Sequence, residues 1–335
     1  MFPDNSFGIM IFMRKIVAGI FIFLAIFGGG ILFSRYQKLY TKIEGVNAKT
    51  PEQMYQDSFV DEKYKNPLQI SFDEKNFTPA NDFDISARYS FAIDLSNNKI
   101  LFSKDIRNRV PVASLVKVMT AIVALEHASE NYEIPVSEKA VSMEPNLMGI
   151  SEGEVYKLKS LLYGLILSSG NDAAIAIAEG VAGNKDNFVV WMNLKATELG
   201  LKDTKFVDPD GLNLKDEEYY STAYDLAVLS KYALDTFPLL REIFASFNYE
   251  LPETEKHKYI YMENLTNLIS TYPGVKGIKI GYTIEAGNTL ITYAENGSAK
   301  ILGVILDSEN QRYDAILLLD YCFGKEGVVV THNLL

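Results

Sequence analysis

The chain is poor in the residues that build most metal and thiol chemistry. A single cysteine, Cys322, in 335 residues excludes an internal disulfide framework and a thiolate metal cage. It sits in the apolar helical run LLLDYCFGK and reads as a packed thiol rather than a nucleophile. Three histidines, His127, His257 and His332, stand too far apart for an H-x-x-x-H pair, so a histidine-bound metal is not expected and no cofactor is implied. His127 is followed three residues on by Glu130, which reads as a solvated polar pair. A Ser-His-Asp arrangement is disfavoured too, because His257 lies in the polar run ETEKHK and His332 among the last residues. A serine activated in this chain must therefore give its proton to another kind of base. Positive charge is also short: 32 Lys and Arg against 43 Asp and Glu leave a net charge of -11, which argues against a nucleic-acid partner. Apolar content is plentiful, at 48%, enough for a sizeable core in one large domain or two small ones.

One long uncharged stretch stands out. Residues Ile16 to Phe33 (IVAGIFIFLAIFGGGILF) follow Arg14 and Lys15, and as a helix they span roughly 27 Å, close to the thickness of a bilayer core. Two readings export the rest of the chain: an uncleaved anchor with its basic end in the cytoplasm, or a signal peptide cut near Gly28 and Gly30. The anchor is preferred because Ile31, Leu32 and Phe33 resume the apolar run past the glycines. Residues 1–34 are thus expected to be an anchor or signal segment in a cell membrane, with the rest of the chain extracytoplasmic. Residues 35–84, polar and without a strong period, read as a spacer with one short helix.

The domain proper is expected over 85–325, with a tail at 326–335. ARYSFAIDL and KILFSKD read as a hairpin across Ser96-Asn97-Asn98. A long helical middle follows, and strand patterns return as KYIYMEN, GIKIGYT, NTLITYAE and AKILGVIL. DSENQRYDAILLLDYCF then closes as a helix, capped by Asp307 or Ser308. The expectation is an α/β fold of the α+β kind: an antiparallel five-stranded sheet built from both termini, an inserted helical layer, helices from both chain ends on the other face, and a cleft between sheet edge and insert.

Three short elements carry chemistry. Ser114 and Lys117 in PVASLVKVMTAIVALE share one helix face, and a buried lysine there loses basicity until it can take the hydroxyl proton. A second S-x-x-K, at Ser96 and Lys99, lies in a turn, so only the apolar setting distinguishes Ser114. Ser169, Gly170 and Asn171 form a corner between two helical runs, where plain capping by Asn171 or Asp172 is the simpler account. Lys279 lies on a strand between Gly277 and Gly281, and glycine inside a strand marks a bulge or a close backbone approach. A bare K-x-G recurs at Lys325.

In the order S-x-x-K, S-x-N, K-x-G the three elements match the signature of penicillin-binding proteins. The chain resembles the D-alanyl-D-alanine carboxypeptidases of low molecular mass over roughly Ala87 to Phe323, including LLYGLILSSGNDAA, WMNLKATELGLKDTKFVDPDGL and STAYDLA. The resemblance implies a β-lactamase/transpeptidase-like fold and a substrate that is a peptidoglycan stem peptide ending in D-Ala-D-Ala, with β-lactams as covalent inhibitors. It implies Ser114 as nucleophile, Lys117 as base, Ser169 as proton relay and Asn171 as a holder of the peptide amide and of Lys117. It further implies Lys279 and the strand Gly281, Tyr282 and Thr283 as the substrate-binding edge, with the N–H groups of Ser114 and Tyr282 as an oxyanion hole. The family pattern is K-T-G, whereas position 280 is isoleucine, so one hydroxyl for the substrate carboxylate is missing and Thr283 is its possible substitute. A β-lactamase would need a glutamate after S-x-N, and the nearest, Glu144-Pro145-Asn146, precedes it and reads as an ordinary loop. A degenerate domain that only binds cell-wall peptide is the remaining alternative. Restoring Ile280→Thr is expected to raise the acylation rate on a D-Ala-D-Ala peptide, recovering about 1–3 kcal/mol of lost hydrogen bonding to a charged group; an unchanged rate would count against that assignment.

Overall fold

A computed structural model of the chain describes residues 49–74, 77, 83–212 and 218–335. The apolar segment Ile16–Phe33 lies outside them, and among the described residues no helix is long and apolar enough to cross a membrane. In chain order the elements are α1 (Pro51–Asp57), β1 (Tyr89–Asp94), β2 (Lys99–Lys104), α2 (Lys117–His127), β3 (Glu133–Pro135), α3 (Glu138–Val141), β4 (Val155–Lys157), α4 (Leu158–Ile166), α5 (Asn171–Ala182), α6 (Lys185–Glu198) and α7 (Ala223–Thr236). They continue with α8 (Pro238–Ala245), β5 (Asn248–Leu251), β6 (Ile260–Glu263), α9 (Leu268–Thr271), β7 (Val275–Thr283), β8 (Gly287–Asn296), β9 (Ala299–Ser308) and α10 (Gln311–Lys325).

The expected five-stranded sheet is present, antiparallel throughout in the order β2-β1-β9-β8-β7, so strands from both halves of the chain meet at β1–β9. Side chains alternate between two apolar clusters. Phe91, Ile93, Leu302, Val304 and Leu306 face the helical layer, whereas Ala92, Ile301 and Ile305 face α10. KYIYMEN forms a strand as expected, but it pairs with β5 in a separate two-stranded sheet.

The helical layer is organised by α2, every residue of which is buried because α4, α5, α6 and α7 surround it. Local signals start and stop its neighbours. Gly183 closes α5 at φ 78, Asn184 caps α6 by accepting from Asn187 N (2.8 Å), and Thr222 caps α7 by accepting from Asp225 N (3.0 Å). Helix α10 covers the far sheet face; its cap is Asn310, which accepts from Tyr313 N at 3.1 Å, rather than Asp307 or Ser308. The carboxylate of Asp314, one turn into α10, instead ties down the Ser86 and Ala87 amides.

Three expectations change. Among the described residues no helix from the N-terminal end lies on the far sheet face, because α1 packs on α6 in the helical layer; that face carries α10 and the short α9, whose Leu268 joins the second cluster. The stretch read as spacer is, from Pro51 onward, part of the compact unit Pro51–Leu335. Tyr55, Tyr64 and Phe72 are buried in the core, and Trp191 Nε1 donates to Pro51 O at 2.8 Å. His127 is not a solvated partner of Glu130. It is buried against the rings of Tyr55, Phe59 and Trp191, hydrogen-bonded to Ser58 at 2.7 Å, and burial drives its pKa down to about 3. The tail also packs, with His332 Nε2 2.8 Å from Asp320 and Val328 and Val330 against the second cluster.

A buried ion cluster holds the N-terminal arm. Lys195, without solvent exposure, lies 2.8 Å from Glu126 and 2.7 Å from Glu198 and donates to Tyr64 O at 3.1 Å. Tyr232 donates to Glu126 and Tyr55 to Glu198. Removing one member strands the others in a medium of low polarity. Lys195→Met is therefore expected to destabilise the fold by about 3–5 kcal/mol and to release the arm, read from a denaturant midpoint and from faster hydrogen exchange at the Tyr55 and Tyr64 amides.

Candidate active site

Ser114 does not sit within α2 but in one 3-10 turn, Ala113–Val116, that leads into it, and Lys117 is the first residue of the helix proper. The spacing still brings the two together, with Lys117 Nζ 3.0 Å from Ser114 Oγ. The same nitrogen donates to Asn171 Oδ1 at 2.8 Å and to the main-chain oxygen of Asp210 at 2.6 Å. A neutral amine has two N–H bonds and one lone pair. Both bonds have acceptors, and the lone pair is left for the serine hydroxyl.

Lys117 has no solvent exposure, and burial lowers its pKa to about 8, opposed by the negative charges of Asp210, Asp208 and Asp172. Lys279, 1% exposed, is pushed well below the ordinary lysine range by burial and by the neighbouring Lys117. Its Nζ donates to Ile280 O at 2.9 Å. Two ammonium groups in one dry site disfavour each other, and that repulsion helps free an amine to accept a proton.

The helical wall is set by the amino terminus of α5. Asn171 Nδ2 donates to Glu144 O at 2.9 Å, and its backbone N–H donates to Asn146 O at 2.9 Å. Asp172 turns its carboxylate on the same loop, accepting from Met148 N (2.8 Å), Gly149 N (2.8 Å) and Ile150 N (3.2 Å). Glu144-Pro145-Asn146 is thus a wall of the site rather than an ordinary loop, although it acts through its backbone. Ser169 is held at φ 55, and its buried Oγ has no hydrogen-bond partner among the described residues. An unsatisfied buried hydroxyl is costly to keep.

The opposite wall is β7, the edge strand. Gly281 lies against the Ser114 turn: a Cβ there would come within 2.9 Å of Ser114 N and 2.7 Å of Thr289 Oγ1. Lys279 and Thr283 share its face by alternation. Thr283 Oγ1 accepts from Ala286 N at 3.1 Å, closing the β7–β8 turn. Ile280 points the other way, partly buried on the second apolar cluster, so its side chain does not share the face of Lys279 and Thr283 on which the sequence-based expectation of a carboxylate-binding hydroxyl relied, and Tyr282 is 65% exposed. The structure therefore brings Ser114, Lys117, Asn171 and Gly281 into contact, with buried Lys279 on the Gly281 face of β7 and Ser169 two residues ahead of Asn171. The lookalike pairs separate from it: Lys99 is bound to Glu326 at 2.6 Å on the surface. Sequence reasoning missed Asp210 O, Glu144 O and the anchoring role of Asp172. The first two are main-chain atoms that no residue type reports, but the turn signal in Asp208-Pro209-Asp210-Gly211 marks the loop that supplies one of them.

A five-stranded antiparallel sheet, an inserted helical layer and a serine–lysine pair at their junction are the transpeptidase-like arrangement. Residues 75–310 match the family model described as D-alanyl-D-alanine carboxypeptidase, and the chain belongs to that family. It is 34% identical to D-alanyl-D-alanine carboxypeptidase DacB2 of Mycobacterium tuberculosis, over 69% of this chain and 80% of that one. It is 32% identical to D-alanyl-D-alanine carboxypeptidase DacF of Bacillus subtilis, over 71% of this chain, but spans only 62% of that relative's length. Among solved structures, a mutant of the DD-transpeptidase of a Streptomyces strain superposes with a TM-score of 0.68 at 27% identity, covering 72% of this chain and all of that one.

Gly211 fixes the loop beneath the nucleophile. It adopts φ +85, and a Cβ would fall 2.3 Å from Ala113 O. Gly211→Ala is expected to displace the Ser114 turn, slowing covalent labelling of Ser114 by tenfold or more and costing about 1–3 kcal/mol of stability, read from labelling kinetics and a denaturant midpoint.

Proposed function

We propose that the chain is a serine-type D-alanyl-D-alanine carboxypeptidase that removes the terminal D-alanine from peptidoglycan stem peptides. The observation that carries this reading is the Lys117 amine, with both donor positions occupied by Asn171 and Asp210 O and its remaining contact the Ser114 hydroxyl. Ser114 Oγ attacks the carbonyl of the penultimate D-alanine while its proton passes to Lys117. Ser114 N and Tyr282 N stabilise the oxyanion, a contribution of about 10²-fold or more per donor. Ser169, whose hydroxyl has no partner among the described residues, relays a proton to the departing D-alanine nitrogen. Water then attacks the ester and releases the shortened peptide.

Lys279 suits the terminal carboxylate. It is buried and depressed in basicity, so an arriving anion supplies the counter-charge that restores its ammonium. Asn171, Gly281 and Thr283 line the peptide, and β-lactams acylate the same serine. Shared acyl-enzyme chemistry lets endopeptidase or transpeptidase activity occur at this site as well. The segment Ile16–Phe33 anchors the protein in a cell membrane with its catalytic unit outside. The intact Ser–Lys–Asn network speaks against a degenerate peptide-binding domain.

The purified full chain is expected to release D-alanine from a stem pentapeptide and to bind labelled penicillin covalently, and Ser114→Ala to lose both. Absence of labelling in the parent chain would refute catalysis. Lys117→Ala should slow acylation about 10²–10⁴-fold. Because the neutral amine is the reactive form, the wild-type rate should rise with pH through a midpoint near pH 8 and level off about one unit above it.

A further inference from the structure

The loop that supplies Asp210 O also carries two buried carboxylates. Asp208 is 6% and Asp210 3% exposed. Asp208 Oδ1 accepts from Gly211 N at 2.6 Å, and Asp210 Oδ1 accepts from Leu212 N at 2.8 Å. The loop is tied beside Lys117, whose Nζ donates to Asp210 O at 2.6 Å. Its Pro209 O accepts from Thr120 Oγ1 at 2.6 Å, one turn further along α2, and Gly211 presses on Ala113 and Ser114. Asp172, the third carboxylate near Lys117, spends both oxygens on the amides of Met148, Gly149, Ile150 and Ala173. The charged and titratable groups facing this cluster are Lys117 and Lys185 toward Asp210, Tyr219 toward Asp208, and Lys279 toward Lys117.

Resting on the reading of Lys117 as the base, we infer that Asp210, backed by Asp208, is a positioning residue that sets the pH range over which Lys117 is uncharged. A carboxylate fixed beside a buried amine favours the ammonium and delays release of the proton. Burial, reinforced by Asp208, pushes Asp210 itself up to about 6. On acidification below that value Asp210 takes a proton, the field favouring the Lys117 ammonium weakens, and a larger neutral share of lysine survives than a permanent charge would allow. The pair titrates together, and the acid limb of the rate falls less steeply than one proton per pH unit. Replacing the carboxylate by an amide of the same shape removes the field at every pH, so the amine is freed at lower pH.

The test uses the full chain and a fluorescent penicillin, with acylation rates measured from pH 5 to 9 in the wild type, Asp210→Asn and Asp208→Asn. Asparagine keeps the Oδ1 acceptor at both positions. The midpoint of the acid limb is expected to move down by about one unit in Asp210→Asn, raising its rate at pH 7 several-fold relative to its own plateau, with unit slope below the midpoint. Asp208→Asn moves in the same direction by less. Coincident midpoints, an upward move, or a loss of plateau without a move would overturn the inference. A wild type that is not acylated at any pH would instead defeat the functional reading. Should the variants not fold, the Lys117 Nζ resonance of the isotope-labelled wild type decides: a second inflection near pH 6 supports the coupling, and a single inflection near 8 refutes it.

Discussion

An amine with two hydrogens and one lone pair, surrounded by two acceptors and one hydroxyl, can donate to the first two and take the proton of the third. Lys117 is in that position among Asn171 Oδ1, Asp210 O and Ser114 Oγ. Each neighbour is delivered by a different part of the chain: the turn before α2, the first residue of α5, and the loop after α6. The helical layer can be understood as the frame that brings these three together, since α2 carries the lysine at its start and is enclosed along its whole length.

Keeping the amine there has a cost. Its pKa near 8, against 10.5 for a free lysine, corresponds to about 3 kcal/mol of disfavour for the ammonium. The sign follows from linkage: the penalty is in full force below pH 8 and is relieved as pH rises from 8 toward 10.5, where the unfolded chain still binds the proton. Tight packing on both sheet faces offsets it, as do the satisfied buried carboxylates around the site. The strained backbone at Ser169 and the orphaned hydroxyl it carries belong to the same pattern, in which local stability is given up at the reactive centre and recovered elsewhere.

Much of this was legible in the sequence where the signal is local. Ser114 with Lys117, and Ser169 with Asn171, are pairs within one turn or corner, so their spacing reports their proximity. Gly281 announced a close backbone approach and makes one, to Ser114 N. The strand patterns yielded the five-stranded sheet, because alternation of Phe91, Ala92 and Ile93 between two cores survives in the text. What stayed hidden depends on distant partners. The arm around Tyr55 and Tyr64 reads as polar spacer because its few anchors follow no period, and the cavities that receive them are built more than a hundred residues later by Trp191, Lys195 and Tyr232. His127 reads as solvated for the same reason. Main-chain acceptors such as Glu144 O and Asp210 O have no residue signature at all, and Asn310 captured the helix start from Asp307 and Ser308 through a difference of two or three positions that local preference does not resolve.

Strand β7 lies on the outside of the sheet, with its ladder to β8 interrupted between Val275 and Ile278 and with Lys276 bonded to Glu295 at 2.7 Å near its start. An unpaired strand border that welcomes a peptide can equally welcome the border of another molecule. Helix α8 covers the start of that border, where a Cβ on Gly277 would fall 2.6 Å from Phe244 O, so the stretch open to another molecule's strand is confined to the residues beside the nucleophile.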